Sequence, residues 1–452
     1  MSSHTHERRL LRWRKITAYL TSSLRVFHKR IIPPGSRVLQ PRCGSGEWLA
    51  SVEPEIGVGL ESDPFFANLC RTRHPELTII EQDITDADLP ERFDYVIACH
   101  LLEQEDECLE TVKSLTAWTA SRGKIVFTFL NPLWAPLVKL FISLGIRPRD
   151  RRYNYLTAKD VENLCHLSGL SVVEGGYKVF CPLPVPFIAP FLNLVFARIP
   201  VIRNFGLIGY VIARSPRGES TGSLSASVII PCHNEEENIA ECIRRTPPMG
   251  GQTEIVVVND GSTDTTEAIV TDMAQASESI RLVSYEPRKG KAHAVKRGFE
   301  EATGDIVMIL DADMTVAPEE LIHFYRAMEE DRAEFINGTR MIYPQEIGAF
   351  TLWRLVGNKL FGILFSVLIG QRCTDTLCGT KVLYRSDVRK MELSAKGWGD
   401  FDLLFGVAGR KLHMLEMPVH YRERKAGTSK MRFFRDGIRL TYLCLRAAVK
   451  LP

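Results

Sequence analysis

Two carboxylates, Asp311 and Asp313, stand one small residue apart at the end of the apolar run Ile306–Val307–Met308–Ile309–Leu310. The run follows Thr303–Gly304–Asp305 and reads as a buried strand of a parallel sheet. Open α/β sheets bind ligands at the carboxyl ends of their strands. A carboxylate pair at i and i+2 there suits a hard divalent cation, Mg2+ or Mn2+, that also holds a diphosphate. The chemistry indicated is work on a nucleotide-activated group. The same pair also suits ordinary turn chemistry, and Asp313 could help start the helix expected at Pro318–Glu319–Glu320–Leu321.

Three other strand ends carry matching chemistry. The strand Ser227–Val228–Ile229–Ile230 breaks at Pro231 into Cys232–His233–Asn234–Glu235–Glu236. Ile255–Val256–Val257–Val258 runs into Asn259–Asp260–Gly261–Ser262–Thr263–Asp264. Pro287–Arg288–Lys289–Gly290–Lys291 is a basic loop ahead of an amphipathic helix. Acids for base, ribose and metal beside a basic loop for phosphate fit a nucleotide-sugar. Lys291 suits phosphate contact, with a solvated helix start as the lesser alternative. Downstream, Asn337–Gly338–Thr339–Arg340 follows another strand, and Arg340 could contact the diphosphate. Then come Gly399–Asp400–Phe401–Asp402 and the basic run Arg424–Lys425–Ala426–Gly427–Thr428–Ser429–Lys430. Asp400 or Asp402 would act as base on a hydroxyl acceptor, or would cap a helix expected at Leu403–Arg410.

The N-terminal half carries a second constellation. The short strand Arg37–Val38–Leu39 leads into Gln40–Pro41–Arg42–Cys43–Gly44–Ser45–Gly46. Ile56–Leu60 ends at Glu61, Ile79–Ile80 leads to Asp83, and Phe93–Ala98 is a further buried strand. Glycines at a strand-to-helix turn let a ligand approach the backbone, and an acid ending the next strand can hold ribose hydroxyls.

The elements that must position these groups fall into two halves. At 452 residues the chain predicts two or three domains. The stretch Arg214–Ser225, rich in Ser, Gly and charge, reads as a linker, and strand–helix alternation restarts beyond it. The net charge of +3 is unevenly spread, with basic residues crowding both ends. Such ends suit an anionic membrane surface or plain solvation, and no nucleic acid is expected. The eleven cysteines are scattered and show no zinc spacing, which predicts buried thiols in a reducing compartment. No secretory signal is visible. Leu133–Ile146, Phe180–Ile212 and Ile347–Ile369 are apolar but interrupted by Pro or charge, so they are expected to be interfacial rather than spanning, unless they cover domain cores.

With these motifs in hand, the N-terminal half resembles the class I S-adenosylmethionine-dependent methyltransferases, over residues 31–214. The resemblance implies a Rossmann-like fold, with Gly44 and Gly46 in the cofactor turn, Glu61 at ribose and Asp83 at adenine. Two departures stand out: Gln40 replaces an acid, and Arg42 replaces a glycine beside a cationic cofactor. A working methyltransferase and a scaffold with degraded cofactor binding both stay open.

The C-terminal half is similar to the family-2 glycosyltransferases of GT-A fold, over residues 226–424. That likeness implies that Pro231, Asn234, Glu235 and Asp260 cradle the nucleoside, that Lys291 meets phosphate, and that Asp311 and Asp313 bear on ribose and cation. The Arg424–x–x–Gly–x–Ser–Lys430 run and the apolar Ile347–Ile369 insertion resemble the dolichyl- or polyprenyl-phosphate branch. The fold class implied is α/β in two domains, between a basic arm at 1–30 and a basic amphipathic segment at 425–452, with a linker at 215–225. The function implied is inverting, metal-dependent transfer of a sugar to a membrane polyprenyl phosphate, with Arg424 and Lys430 serving the acceptor phosphate. The expected location is cytoplasmic, peripheral to the inner face of the membrane. A transferase to a glycan hydroxyl or another membrane glycolipid, and a non-enzymatic membrane-bound scaffold, are the alternatives. A processive synthase is disfavoured, since neither spanning helices nor a Gln–x–x–Arg–Trp motif is present.

Overall fold

The computed structural model describes residues 18–144, 154–182, 185, 189, 192–193, 196, 202–217, 223–343, 352–393 and 399–422. The chain divides into two compact units, Met1–Gly218 and Glu219–Leu451. Both are α/β units, as expected: the first Rossmann-like, the second of GT-A type.

Among the described residues the first unit's sheet is built from β1 (Arg37–Pro41), β2 (Ile56–Leu60), β3 (Thr78–Ile80), β4 (Phe93–Cys99), β5 (Thr119–Leu130), β6 (Ser171–Lys178) and β7 (Ile208–Arg214). Their order is β3-β2-β1-β4-β5-β7-β6. The first five run parallel, while β7 is antiparallel to both β5 and β6. Side chains alternate across the sheet. Leu39, Val96, Ala98, Ile125, Phe127 and Val211 pack on one face, and Val38, Ile97, Val126 and Ile212 on the other. Burial on both faces explains the unbroken apolar runs. Strand order reverses between β1 and β4, so the ligand crevice lies outside their carboxyl ends.

The apolar segments of this unit separate in kind. Within Phe180–Ile212, residues Ile208–Ile212 belong to β7 and are buried between β5 and β6. That part is sheet core, which corrects the expectation of an interfacial segment there. Within Leu133–Ile146, the helix Ala135–Ser143 has no buried residue. Leu133, Leu137, Leu140 and Leu144 are exposed. Arg214, read as the start of the linker, is wholly buried at the end of β7, so the connection begins beyond it.

The second unit's sheet, among the described residues, contains β8 (Ala226–Cys232), β9 (Thr253–Asp260), β10 (Ile280–Tyr285), β11 (Ile306–Ile309), β12 (Phe335–Thr339), β13 (Lys381–Tyr384) and β14 (Met414–Pro418). Their order is β10-β9-β8-β11-β13-β12-β14. The strands β10, β9, β8 and β11 are parallel; β13 runs antiparallel to β11 and β12. Again the order reverses, here between β8 and β11, placing Pro231–Glu235 and Asp311–Asp313 at one switch point.

The expected helix in Ile347–Ile369 runs over Leu352–Ile369. Phe365 and Ile369 pack into the core with Leu383 and Phe401, whereas Ile363 is 64% exposed. One face therefore covers the core. Among the described residues no helix is long and apolar enough to cross a membrane. The helix expected at Leu403–Arg410 starts earlier and spans Gly399–Gly409, which puts Asp400 and Asp402 in its first turn rather than ahead of it.

Candidate active site

The loops after β8 and β9 are joined by side chains of the predicted site. Asn234 adopts φ 55°, a left-handed conformation that Asn tolerates. Its backbone N–H donates to Ser262 Oγ at 3.0 Å, and its Oδ1 accepts the Thr263 N–H at 2.8 Å. The Glu235 N–H donates to Thr266 Oγ1 at 2.9 Å, while its carboxylate accepts from Asn238 Nδ2 at 3.0 Å. Pro231 lies within β8, half-buried.

Asp260 ends β9 with its carboxylate buried. It accepts the backbone N–H of Lys289 at 2.7 Å and of Gly290 at 2.9 and 3.0 Å, with Arg288 Nε at 3.5 Å. Asp260 thus fixes the basic loop. Its carbonyl lies 3.0 Å from His233 Nδ1, so that ring nitrogen carries the proton. Burial, reinforced by Asp260, pushes the Tyr285 hydroxyl well above its ordinary pKa.

The fixed loop delivers Lys291, whose Nζ lies 2.5 Å from Asp311 Oδ1. Burial opposes the ammonium charge, yet Asp311, with Asp400 and Asp313 behind it, raises the Lys291 pKa above its ordinary value. The other oxygen of Asp311 packs on Gly379, where any Cβ would overlap it. Asp313 Oδ1 accepts from Thr315, from its N–H at 3.1 Å and its Oγ1 at 2.9 Å, so it shapes the turn after β11. Asp400 Oδ1 lies 2.9 Å from Nζ of Lys381, a fully buried residue of β13 that also donates to the Cys378 carbonyl. Charges therefore alternate through Asp311, Lys291, Asp400 and Lys381. Asp402, two residues on, stands about 200° around the helix from Asp400.

Arg340, expected beside a diphosphate, is engaged within the protein. Its Nε and Nη2 grip the wholly buried Asp375 at 2.7 and 2.8 Å, and its backbone N–H bonds the same carboxylate at 3.1 Å. Its guanidinium also covers the Tyr421 ring, 5.1 Å from the centroid. The fork ties the end of β12 to the 374–378 loop. Arg424 and Lys430 lie outside the described residues, as does most of the expected basic arm and all of the expected terminal segment.

Among the described residues no cluster of three or more His, Cys, Asp or Glu could hold a metal by itself. Asp311 and Asp313 nonetheless fit Mg2+ or Mn2+ bound together with a diphosphate. Such ions take one or two protein carboxylates, with phosphate oxygens and water as the remaining ligands.

In the first unit, Gly44 (φ 57°) and Gly46 (φ 76°) adopt the left-handed conformations their turn requires. A Cβ on Gly46 would overlap Cys70 Sγ. Glu61 is buried, and its carboxylate accepts the N–H of Gly44 at 2.8 Å and of Asp63 at 3.0 Å. Asp83 accepts the Thr85 N–H at 3.3 Å. Arg42 takes φ 49°, a glycine-like backbone under a long side chain. Its Nη2 lies 3.0 Å from Glu105 Oε1, and its Nη1 3.4 Å from Gln104 Oε1. Arg42 thus sets a cation at the carboxyl ends of β1 and β4, a poor match for the sulfonium of S-adenosylmethionine. Glu105, Asp375 and Lys381 received no role from the sequence: Glu103 and Glu105 stood in an acid-rich stretch, and Asp375 and Lys381 in the Thr374–Lys381 run after Arg340, with nothing to fix what either side chain does.

Comparison with known proteins locates both halves. Residues 227–391 match the family described as Glycosyl transferase family 2, and residues 7–175 match a family described as Methyltransferase domain. An undecaprenyl-phosphate 4-deoxy-4-formamido-L-arabinose transferase of Enterobacter sp. (strain 638) is 31% identical over 214 residues, covering 46% of this chain. The chain spans 63% of that relative's length. Among solved structures, glucosyl-3-phosphoglycerate synthase of Mycobacterium tuberculosis, in complex with Mn2+, UDP and glucosyl-3-phosphoglycerate, is similar at 19% identity and a TM-score of 0.39, over 51% of this chain and 81% of that one. A SAM-dependent methyltransferase of Thermotoga maritima is similar at 15% identity and a TM-score of 0.35, over 47% of this chain and 95% of that one.

Proposed function

We propose, for a chain that joins a methyltransferase domain to a family 2 glycosyltransferase domain, that the second unit transfers a sugar from a nucleotide-sugar to a membrane polyprenyl phosphate, with inversion and with Mg2+ or Mn2+. The observation that carries this is Lys291, held by the Asp260-fixed loop, beside Asp311 at the β8/β11 switch point. A cation held by Asp311 and Asp313 would join the Lys291 ammonium where a diphosphate leaving group would develop charge. The relative's name, an undecaprenyl-phosphate transferase, supports a lipid phosphate as acceptor.

The mechanism follows from the acceptor. A phosphate monoester with a second pKa of about 6 is largely dianionic at neutral pH, so it is already a nucleophile. It requires delivery to the anomeric carbon and screening from the anionic donor. Asp260, Asn234 and Glu235 hold the loops around the nucleoside. Asp311 and Asp313 would hold the cation, which supplies positive charge to the departing diphosphate. Lys291 adds a second positive charge there. Arg424 and Lys430 would receive the acceptor phosphate. One displacement at the anomeric carbon inverts it.

Membrane contact would be peripheral, from the cytoplasmic side. The exposed Ile363 and Leu364 and the basic chain ends support this reading. Each basic residue near an anionic leaflet contributes about 1 kcal/mol. The working boundaries are 31–214 and 226–424 for the two domains, in a role in cell envelope glycan assembly.

The test supplies purified full chain with polyprenyl phosphate, Mg2+ or Mn2+, and radiolabelled nucleotide-sugars in turn. A lipid-linked sugar is expected from one donor, with a loss of about 10²-fold or more in Asp311→Ala. No lipid-linked product from any donor would sink the proposal. Transfer to a glycan hydroxyl is the second reading, and Asp400 beside Lys291 favours it, since a hydroxyl needs a base.

A further inference from the structure

The crevice of the first unit is crossed by its own side chains. Arg42 follows β1 and Glu105 follows β4, the two strands between which the sheet order reverses. Their ion pair, at 3.0 Å, bridges the place where an open α/β sheet binds its ligand. Gln104 Oε1, 3.4 Å from Arg42 Nη1, adds a second tie on the same side. The Glu105 side chain is 8% exposed, so parting the pair would leave a carboxylate buried without its counter-charge.

Neighbouring groups agree with closure. Arg42 holds φ 49°, which a long L side chain rarely adopts, so the fold accepts backbone strain at this position. Glu61 faces inward to the Gly44 and Asp63 N–H groups. Gln40, at the end of β1, is buried and neutral, and its Oε1 has no hydrogen-bond partner among the described residues. A sulfonium cofactor entering here would meet the Arg42 cation and, at Gln40, no compensating carboxylate.

We propose that the Arg42–Glu105 pair is an internal crosspiece that keeps S-adenosylmethionine out, making the first unit a methyltransferase fold that does not methylate. The pair stands in the cofactor's place. Clearing it requires both partners to go, because Arg42→Gly alone leaves the buried Glu105 carboxylate without its counter-charge.

Calorimetric titration of the full chain with S-adenosylmethionine and with S-adenosylhomocysteine tests this directly. The unsubstituted chain is expected to show no saturable heat up to about 1 mM of either ligand. The double variant Arg42→Gly/Glu105→Leu is expected to bind S-adenosylhomocysteine at least about tenfold more tightly than that limit. Saturable binding of either ligand by the unsubstituted chain up to about 1 mM overturns the proposal. So does a double variant with unchanged circular dichroism and melting temperature that still fails to bind. Should the double variant not fold, ultraviolet crosslinking of labelled S-adenosylmethionine to the unsubstituted chain decides: labelling that unlabelled cofactor competes away overturns the crosspiece, and its absence supports it.

Discussion

Lys291 Nζ and Asp311 Oδ1 lie 2.5 Å apart, joining the start of the helix Lys291–Glu301 to the end of β11. One carboxylate oxygen thus meets the lysine while the other packs on Gly379. A cation reaching Asp311 must displace or share that lysine. Lys291→Met is therefore expected to bind Mn2+ more tightly than the unsubstituted chain when no donor is present, as read by calorimetry. The same variant should lose about 10²–10³-fold in sugar transfer, because a positive charge at the leaving group is gone. Weaker or unchanged Mn2+ affinity would show that the ion pair does not compete with metal.

Gly379→Ala probes the same oxygen from the opposite side. Its Cβ would overlap Asp311 Oδ2 and Cγ, and a carboxylate fixed by Lys291 has little room to yield. Sugar transfer should fall by about 10²-fold, as expected when a catalytic group is misplaced by roughly 1 Å. The melting temperature should move by no more than a few degrees. Full activity in Gly379→Ala would mean that Asp311 is not placed for the reaction.

Asp400 separates the two acceptor chemistries. Lys381, buried on β13, pairs with it at 2.9 Å. A phosphate acceptor needs no base, so Asp400→Asn should slow transfer to polyprenyl phosphate by less than about tenfold. Transfer to a sugar hydroxyl would instead fall by about 10²–10⁴-fold. Parallel assays with both acceptors distinguish the outcomes.

The legible part of this protein was what strand ends encode locally. Apolar runs buried on both faces announced β8, β9 and β11, and the residues following them are where ligand chemistry belongs in such sheets. Partners distant in sequence were not legible. Nothing around Arg340 names Asp375, 35 residues on, so the buried fork between them could not be read from the sequence. Lys381 looked like any lysine until β13 paired antiparallel to β11 and buried it. The apolarity of Ile208–Ile212 suited either a membrane or a core, and only pairing with β5 and β6 decided between them.

The Arg340–Asp375 fork makes a stability prediction that a diphosphate contact would not. Lysine offers a point charge in place of two parallel N–H groups, so Arg340→Lys loses one of two charge-assisted bonds at a fully buried carboxylate. A destabilisation of about 1.5–3 kcal/mol is expected in urea unfolding. The donor KM should stay within about threefold of the unsubstituted value if the fork is structural. A raised KM without loss of stability would return Arg340 to the donor.

His28 gives the first unit a pH dependence of definite sign. It is buried in the helix Ala18–Ile31, with Nδ1 2.8 Å from the Leu24 carbonyl, so Nδ1 donates. Nε2 is buried without a hydrogen-bond partner among the described residues, beside the Phe27 and Trp48 rings. Burial, aided by His100, pulls the His28 pKa from its ordinary 6.5 down to about 4. The unfolded chain therefore takes up a proton that the folded chain refuses in this window. Its contribution to stability is fully present above about pH 6.5 and is lost as pH falls toward about 4, roughly 3 kcal/mol in all. Urea unfolding from about pH 7.5 to about pH 4.5 should show the slope, and His28→Leu should flatten it relative to the unsubstituted chain. Carboxylates titrate alike in both proteins and cancel in the difference. Parallel slopes would mean that His28 accepts its proton inside the fold.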